Sequence, residues 1–454
     1  MTVRGPDALL APLRAVLEGA PADEVELWAH RRVAAVTRYT RNAVHQNARS
    51  DETHVTARAV VGRAVGVATT NATDGAGLRA LVADAAALAR LQPPNEEWPG
   101  VAGPATYAAA HAFDEATASL DAAQQARAIA RITARAEARG MRAAGTHHLE
   151  LREDAVVTSR GAEAYAPLTL AYVRALVQSE TGAGYADDLG ARAGALDPDG
   201  VASRAIAKAE LDRDRRQLEP GDHEAVFEEL AVAEILRVLS LHGVGGQAVR
   251  EGRSFMTGRI GERVTGRLFT LHDDALDARQ LAIPFDVEGT PKRRVALLED
   301  GIARGPVHDR TSAKAMGASS SGHAADRDRY PVGGLAANLV MRGGDASDED
   351  LVRAVRRGVL ITRFHYTNVP DPKSATMTGT SRDGTFLIED GRIVAALANV
   401  RFTMSALDLF AGIELLGRQR LVRDWWSTNG MGEIVCLAPP MKVARATITG
   451  SSPL

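Results

Sequence analysis

Residues 385–397 read TFLIEDGRIVAAL, and this stretch decides what kind of fold the second half of the chain adopts. Two apolar runs flank Glu389–Asp390–Gly391, and an Asp-Gly pair between such runs signals a β-hairpin, because both turn residues tolerate left-handed backbone angles. Further out the pattern repeats, with strand-like runs separated by turns at Asp300–Gly301, Gly343–Gly344 and Asp383–Gly384. One helix-length apolar run, Leu230–Leu241, leads into the glycine-rich HGVGGQ. The texture predicts a β-rich domain over residues 219–454, long enough to bury its own core.

The first half reads differently. β-Branched and aromatic residues alternate with charged ones across Glu24–Asn71, in EVELWAH, VAAVTRYT and THVTARAVVGRAVGVATT, which predicts paired strands. Gly62 and Gly66 predict a twisted or bulged strand there. From Asp74, helical spacing of Leu78, Leu81, Val82, Ala85 and Leu88 predicts a helix ended by Pro93–Pro94. A second helix opens at Ser119–Leu120–Asp121 and closes at Gly140. Strands resume at His147–Thr158 and Leu168–Gln178, and Asp199–Gln217 reads as a charged helix. This order belongs to the α+β class: a mixed α/β domain over residues 1–218, with the boundary at Leu218–Gly221, where a charged helix meets a Pro-Gly pair.

Composition excludes some functions. Fifty-four basic and 57 acidic residues are interspersed and leave a net charge of −3, so charge supports neither a nucleic-acid partner nor a membrane surface. The apolar runs are interrupted, as by Glu234 and Arg237 in Leu230–Leu241, which argues against a membrane span or a signal peptide. The lone cysteine, Cys436, has no internal disulfide partner and fits a cytoplasmic location.

A helical zinc-hydrolase motif needs two histidines one turn apart with a glutamate between them. No two of the 12 histidines stand four or five residues apart. The only His-Glu dipeptide, His223–Glu224 in HEAVFEEL, is followed by Phe227 and Glu228 where a second histidine is required, and it reads as a strand opening the second half. His147–His148 fall on a strand, where neighbours face opposite sides. His242 sits at a helix end, and Cys436 in EIVCLAPP reads as a small buried hydrophobe. The serine-rich Gly317–Gly322 (GASSSG) reads as a mobile solvated loop, without a nucleophile elbow or a phosphate-loop lysine.

Several blocks resemble the TldD/PmbA family, also called modulator of DNA gyrase: EGRSFMTGRIGERV (251–264), the Asp273–Asp274 step, RTSAKAMGASSSGHA (310–324) and TGTSRDGTFLIEDGRIVAALANVRF (378–402). The resemblance covers most of the chain. It implies a barrel-like chamber built by two kinds of subunit, in which a TldD-type chain carries His-Glu-x-x-x-His shortly before the block at Ser254 and a further cysteine near its C-terminus. In this chain the corresponding helix is AVAEILRVLSLHGVGG (231–246), where only His242 remains, and Met431 stands about where that cysteine is expected. The pattern of Ala313–Gly322 is similar to the PmbA type, also called TldE. The expectation is a metal-free subunit of a zinc metallopeptidase acting on small or unfolded peptides, with zinc in a TldD-type partner and no cofactor in this chain. Arg253, Ser254, Thr380, Arg382 and Asp383 are the candidate peptide contacts, and Arg259 with Glu262 reads as a surface ion pair. Two alternatives remain: a homodimeric peptide-binding protein without catalysis, and a stand-alone peptidase whose metal is held by some of His223, Glu224, His242 and Cys436.

Overall fold

The structure, a computed structural model, describes residues 1–326, 332–424 and 434–452. The first half builds a six-stranded antiparallel sheet from β1 (Glu24–Thr40), β2 (Ala43–Val61), β3 (Ala64–Thr70), β4 (Arg142–Thr158), β5 (Glu163–Gln178) and β6 (Ala183–Gly190). Their order is β3-β2-β1-β4-β5-β6. The two runs EVELWAH and VAAVTRYT are one continuous strand of 17 residues, because the polar residues between them still alternate faces. Gly62 does not bulge a strand, as the sequence reading expects, but makes the turn between β2 and β3, with φ at +64°. Gly66 serves a different purpose: a Cβ there would sit 2.1 Å from the Ala85 carbonyl, so its absence lets the helix Gly75–Ala89 lie directly on β3.

That helix begins at Asp74, whose carboxylate accepts from the Ala76 and Gly77 amides. The helix Ala122–Glu137 opens with a capping box between Asp121 and Gln124. With Pro6–Ala15 and Pro198–Leu211 these helices cover one face of the sheet and bury Leu27, Val55, Leu81, Ile132 and Val173 against it. The opposite face carries Trp28, His30, Arg32, Glu150, Arg152 and Asp154 on β1 and β4, and Leu168, Leu170 and Tyr172 on β5. The second half packs on this face: Leu281 and Val435 join the apolar patch of β5, and Phe285 packs with Val156 and Trp28.

In the second half, the strands Gly221–Phe227, Arg357–Asp371, Thr376–Glu389, Val400–Ser405 and Met441–Ser451 pair into a closed ring. Its interior is filled by Phe227, Phe364 and Phe402, with ring centroids 5.6 and 4.3 Å apart along the row. Beside it lies an open six-stranded sheet that includes Leu271–Asp273, Asn338–Met341 and Val435–Ala438, so this half is barrel-like only in part. The hairpin 385–397 turns where its sequence demands, with Asp390 at φ +48° and Gly391 at φ +73°. The helix Glu229–His242 packs between the ring strand Arg357–Asp371 and the strands Arg420–Arg423 and Val435–Ala438, and its middle is buried apart from the partly exposed Arg237.

Truncating Phe364 removes the central ring of that row. Phe364→Ala should cost about 3–5 kcal/mol, read as a lower urea midpoint with little change in slope.

Candidate functional site

The helix Glu229–His242 stands where the resemblance places a metal helix, and its environment shows what this sequence does there instead. Leu236, Val238 and Leu239 are in the core. Glu234, also buried, accepts a hydrogen bond from the Thr367 hydroxyl on the neighbouring ring strand. Arg237 lies 4.0 Å from Glu234 and 3.4 Å from the buried carboxylate of Asp424. An ion cluster thus links helix, ring and sheet. His242 closes the helix, and burial followed by Arg237 and Arg253 lowers its pKa, so the ring is neutral near pH 7.

The four alternative metal ligands do not assemble. His223 and Glu224 lie on the strand Gly221–Phe227, where the His223 Nε2–H donates to the Glu219 carbonyl at 2.9 Å and Glu224 accepts from the Arg356 amide at 2.8 Å. Cys436 is fully buried, and burial pushes its thiol pKa well up, against the thiolate that a metal requires. Among the described residues no three of His, Cys, Asp and Glu are grouped to hold a metal. Met431 lies outside the described residues.

The expected peptide contacts fall into two separate groups. The Ser254 hydroxyl is buried, donates to the Gly243 carbonyl at 2.5 Å and accepts from the Met256 amide, so it locks the chain after the helix. Arg253 next to it is half exposed and paired with Glu251. Arg259 and Glu262 form the expected exposed pair at 3.5 Å. On the ring, Thr380 faces His365 across the strand pair and donates to its carbonyl at 3.4 Å. Asp383, held at φ +54°, binds the buried guanidinium of Arg363, which lies 4.8 Å from the Tyr185 ring on β6. Tyr185 in turn shares a buried cluster with Tyr172 and Asp187. Arg363, held by Asp383, therefore ties the ring to the N-terminal sheet, while Arg382 beside Asp383 projects half exposed. The sequence reading missed Tyr366, which a shift in register turns outward at φ +55° with its ring edge-on to His365.

A second polar region lies in the cleft between the first sheet and the loops of the second half, a cavity of about 80 Å³. Asp154 accepts from the Trp28 indole and contacts His30 Nδ1, both at 2.9 Å. Across the cleft, His323 Nε2 meets Asp273 at 2.8 Å and its Nδ1 meets Ser321. The Ser321 hydroxyl is itself engaged with the His308 backbone, so GASSSG is exposed over Gly317, Ala318 and Ser319, as its composition suggests, but ends in a buried, tied Ser321–Gly322. Arg58 is buried between Glu26 at 3.3 Å and Glu288 at 2.8 Å. Burial, reinforced by Glu288, raises the Asp286 carboxyl to about 8, although the Ala324 and Thr290 amides pull the other way. No spacing rule finds this cleft, because His30 and Asp154 meet only through the pairing of β1 with β4.

A two-part α+β chain with a ring-forming second half defines the class, and comparison places it more closely. Residues 220–450 match the family model described as PmbA/TldA metallopeptidase C-terminal domain, and residues 26–89 match PmbA/TldA metallopeptidase domain 1. The chain belongs to the PmbA/TldD family. It is 30% identical over 179 residues to a metalloprotease TldD homolog of Haemophilus influenzae, covering 38% of this chain and 36% of that protein. It is 28% identical over 218 residues to a TldD homolog of Buchnera aphidicola, covering 46% and 44%. The chain thus spans less than half the length of these curated relatives. In fold it resembles TldE from Thermococcus kodakarensis, with a TM-score of 0.87, 20% identity and coverage of 97% of this chain and 100% of that one. It also resembles a putative modulator of DNA gyrase from Thermotoga maritima, with a TM-score of 0.83, 15% identity and coverage of 98% and 100%.

Two outcomes follow from the geometry. Asp383→Ala strands a buried guanidinium and should destabilise by about 3 kcal/mol, whereas Arg382→Ala should stay within about 0.5 kcal/mol; thermal melts of both variants separate tie from surface. Because the Asp286 pKa is raised above its unfolded value of 3.8, its contribution to stability is complete at low pH and is lost as pH rises through about 8. Asp286→Asn should therefore lose less stability than the parent between pH 6.5 and 8.5 in chemical denaturation.

Proposed function

We propose that this chain is the metal-free, TldE-type subunit of a two-chain zinc metallopeptidase that cleaves small or unfolded peptides. The observation that carries the reading is the helix Glu229–His242: five residues before its only histidine, where His-Glu-x-x-x-His would place the first ligand, stands Arg237, paired with Asp424 and Glu234, and Val238, in the core, stands where the glutamate would follow. Zinc, bound to His-Glu-x-x-x-His of a TldD-type partner, would polarise the scissile carbonyl and activate water there. This chain's part is to wall the chamber and hold the peptide. Thr380, Arg382 and Arg253 offer a hydroxyl and two half-exposed guanidinium groups, suited to backbone carbonyls or a peptide carboxylate. Ser254 and Asp383 position the segments on which those contacts stand. The likeness to TldE over nearly the whole chain supports the reading, as do the family's metalloprotease members, and a cytoplasmic setting fits the lone reduced cysteine.

Co-expression tests it. Together with a TldD-type chain, this protein should co-elute, the complex should hold about one zinc per pair, and cleavage of an unfolded peptide should require both chains. About one zinc bound to this chain alone, or cleavage by it alone, sinks the proposal. A partner-independent homodimer that binds peptide without cleavage would mark it as a binding protein instead.

A further inference from the structure

On the outside of the ring lies a groove of about 660 Å³, within the size range of small-molecule sites. Its floor is apolar, from Val226, Leu351, Leu360, Ile393 and Pro440. Its two ends carry opposite charge. At one end stand Glu228, Asp348 and Glu349; Arg420 bridges Asp348 to Glu229, at 2.8 Å to each, which fixes this end beside the start of the helix Glu229–His242. At the other end stand Arg353 and Arg392. Gly391 holds Arg392 there, since a Cβ on it would lie only 2.9 Å from the Arg353 carbonyl. The helix Asp348–Arg353 runs between the ends, and its rise of about 1.5 Å per residue separates them by about 7 Å before the side chains reach outward.

Local pairing leaves one charge of each sign unspent. Glu228 is paired with Lys208, Asp348 with Arg420, and Arg353 with Asp350. Glu349 and Arg392 have no ion pair among the described residues, and both are exposed. An apolar trough with a spare carboxylate at one end and a spare guanidinium at the other matches a short zwitterion with an apolar body.

We propose that this groove binds a free apolar peptide of two or three residues, with its ammonium at Glu349, its carboxylate at Arg392 and its side chains against Ile393. The spacing fits the ligand: a residue in extended peptide spans about 3.3 Å, so two or three residues cover the distance between the ends. The proposal is independent of the metallopeptidase reading, because the groove is built entirely from this chain.

Calorimetric titration of the full chain with the tripeptide Leu-Leu-Leu tests it. Saturable binding is expected, weakened at least tenfold by N-acetylation, by C-amidation, by Glu349→Lys and by Arg392→Glu, and abolished by Ile393→Trp, which fills the trough. Both charge-reversal positions are exposed, so these variants should keep the parent's melting temperature and the loss is then one of binding. Absence of saturation at about 10 mM peptide overturns the proposal. So does equal binding of the doubly blocked peptide, which would mark a groove for an internal segment of another protein. A dimer of this chain that Ile393→Trp dissociates would overturn it too, since the trough would then be filled by a second copy.

Discussion

Arg58 is buried between Glu26 of its own sheet and Glu288 of the other half, and the arrangement of the two halves depends on this kind of contact. The N-terminal sheet is covered by helices on one face through ordinary apolar packing. Its other face carries charged residues along β1 and β4, and charges of that density enter an interior only when each finds a counter-charge or a hydrogen bond. Within the sheet Arg32 meets Glu150 and Asp154 meets His30. Across the boundary Glu288 meets Arg58, while Arg363, held by Asp383, lies against Tyr185. The two halves are thereby fixed in orientation as well as joined, because ion pairs and hydrogen bonds demand a direction that apolar contact does not.

That orientation gives the helix Glu229–His242 its surroundings. Packed between ring and open sheet, it leaves only Arg237 partly exposed in its middle turns, so each polar residue there needs a partner from a neighbouring element. Thr367 and Asp424 supply such partners to Glu234 and Arg237. In place of a histidine pair the helix carries Glu234 and Arg237, which join it to the ring and to Asp424. The outside of the ring obeys a looser rule. The short helix Asp348–Arg353 and the hairpin turn at Asp390–Gly391 only partly cover the apolar residues between them, and a trough remains.

Much of this was legible from residues alone. Asp390–Gly391 predicted its turn, Asp74 and Asp121 their helix starts, and Gly221–Phe227 its strand, because each depends on backbone angles or caps set within a few residues. The failures came where distant chain intervenes. Gly66 looked like a bulge and proved to be a landing place for a helix. The serines of Gly317–Gly322 looked solvated, yet Ser321 is buried against His308.

The sequence by itself determined the family, the hairpin and helix boundaries, and the lack of a one-turn histidine pair on the helix before Ser254, since all of these are local patterns. Only the tertiary structure decided that Asp383 braces the Arg363 tie and is not a surface turn, that Asp154, His323 and Asp286 line one cleft with His30 bonded to Asp154, and that Glu349 and Arg392 stand at opposite ends of one trough. The physical reason is common to all three. A charged residue's role depends on which counter-charge reaches it, and here that partner arrives from a strand or loop far away in the chain.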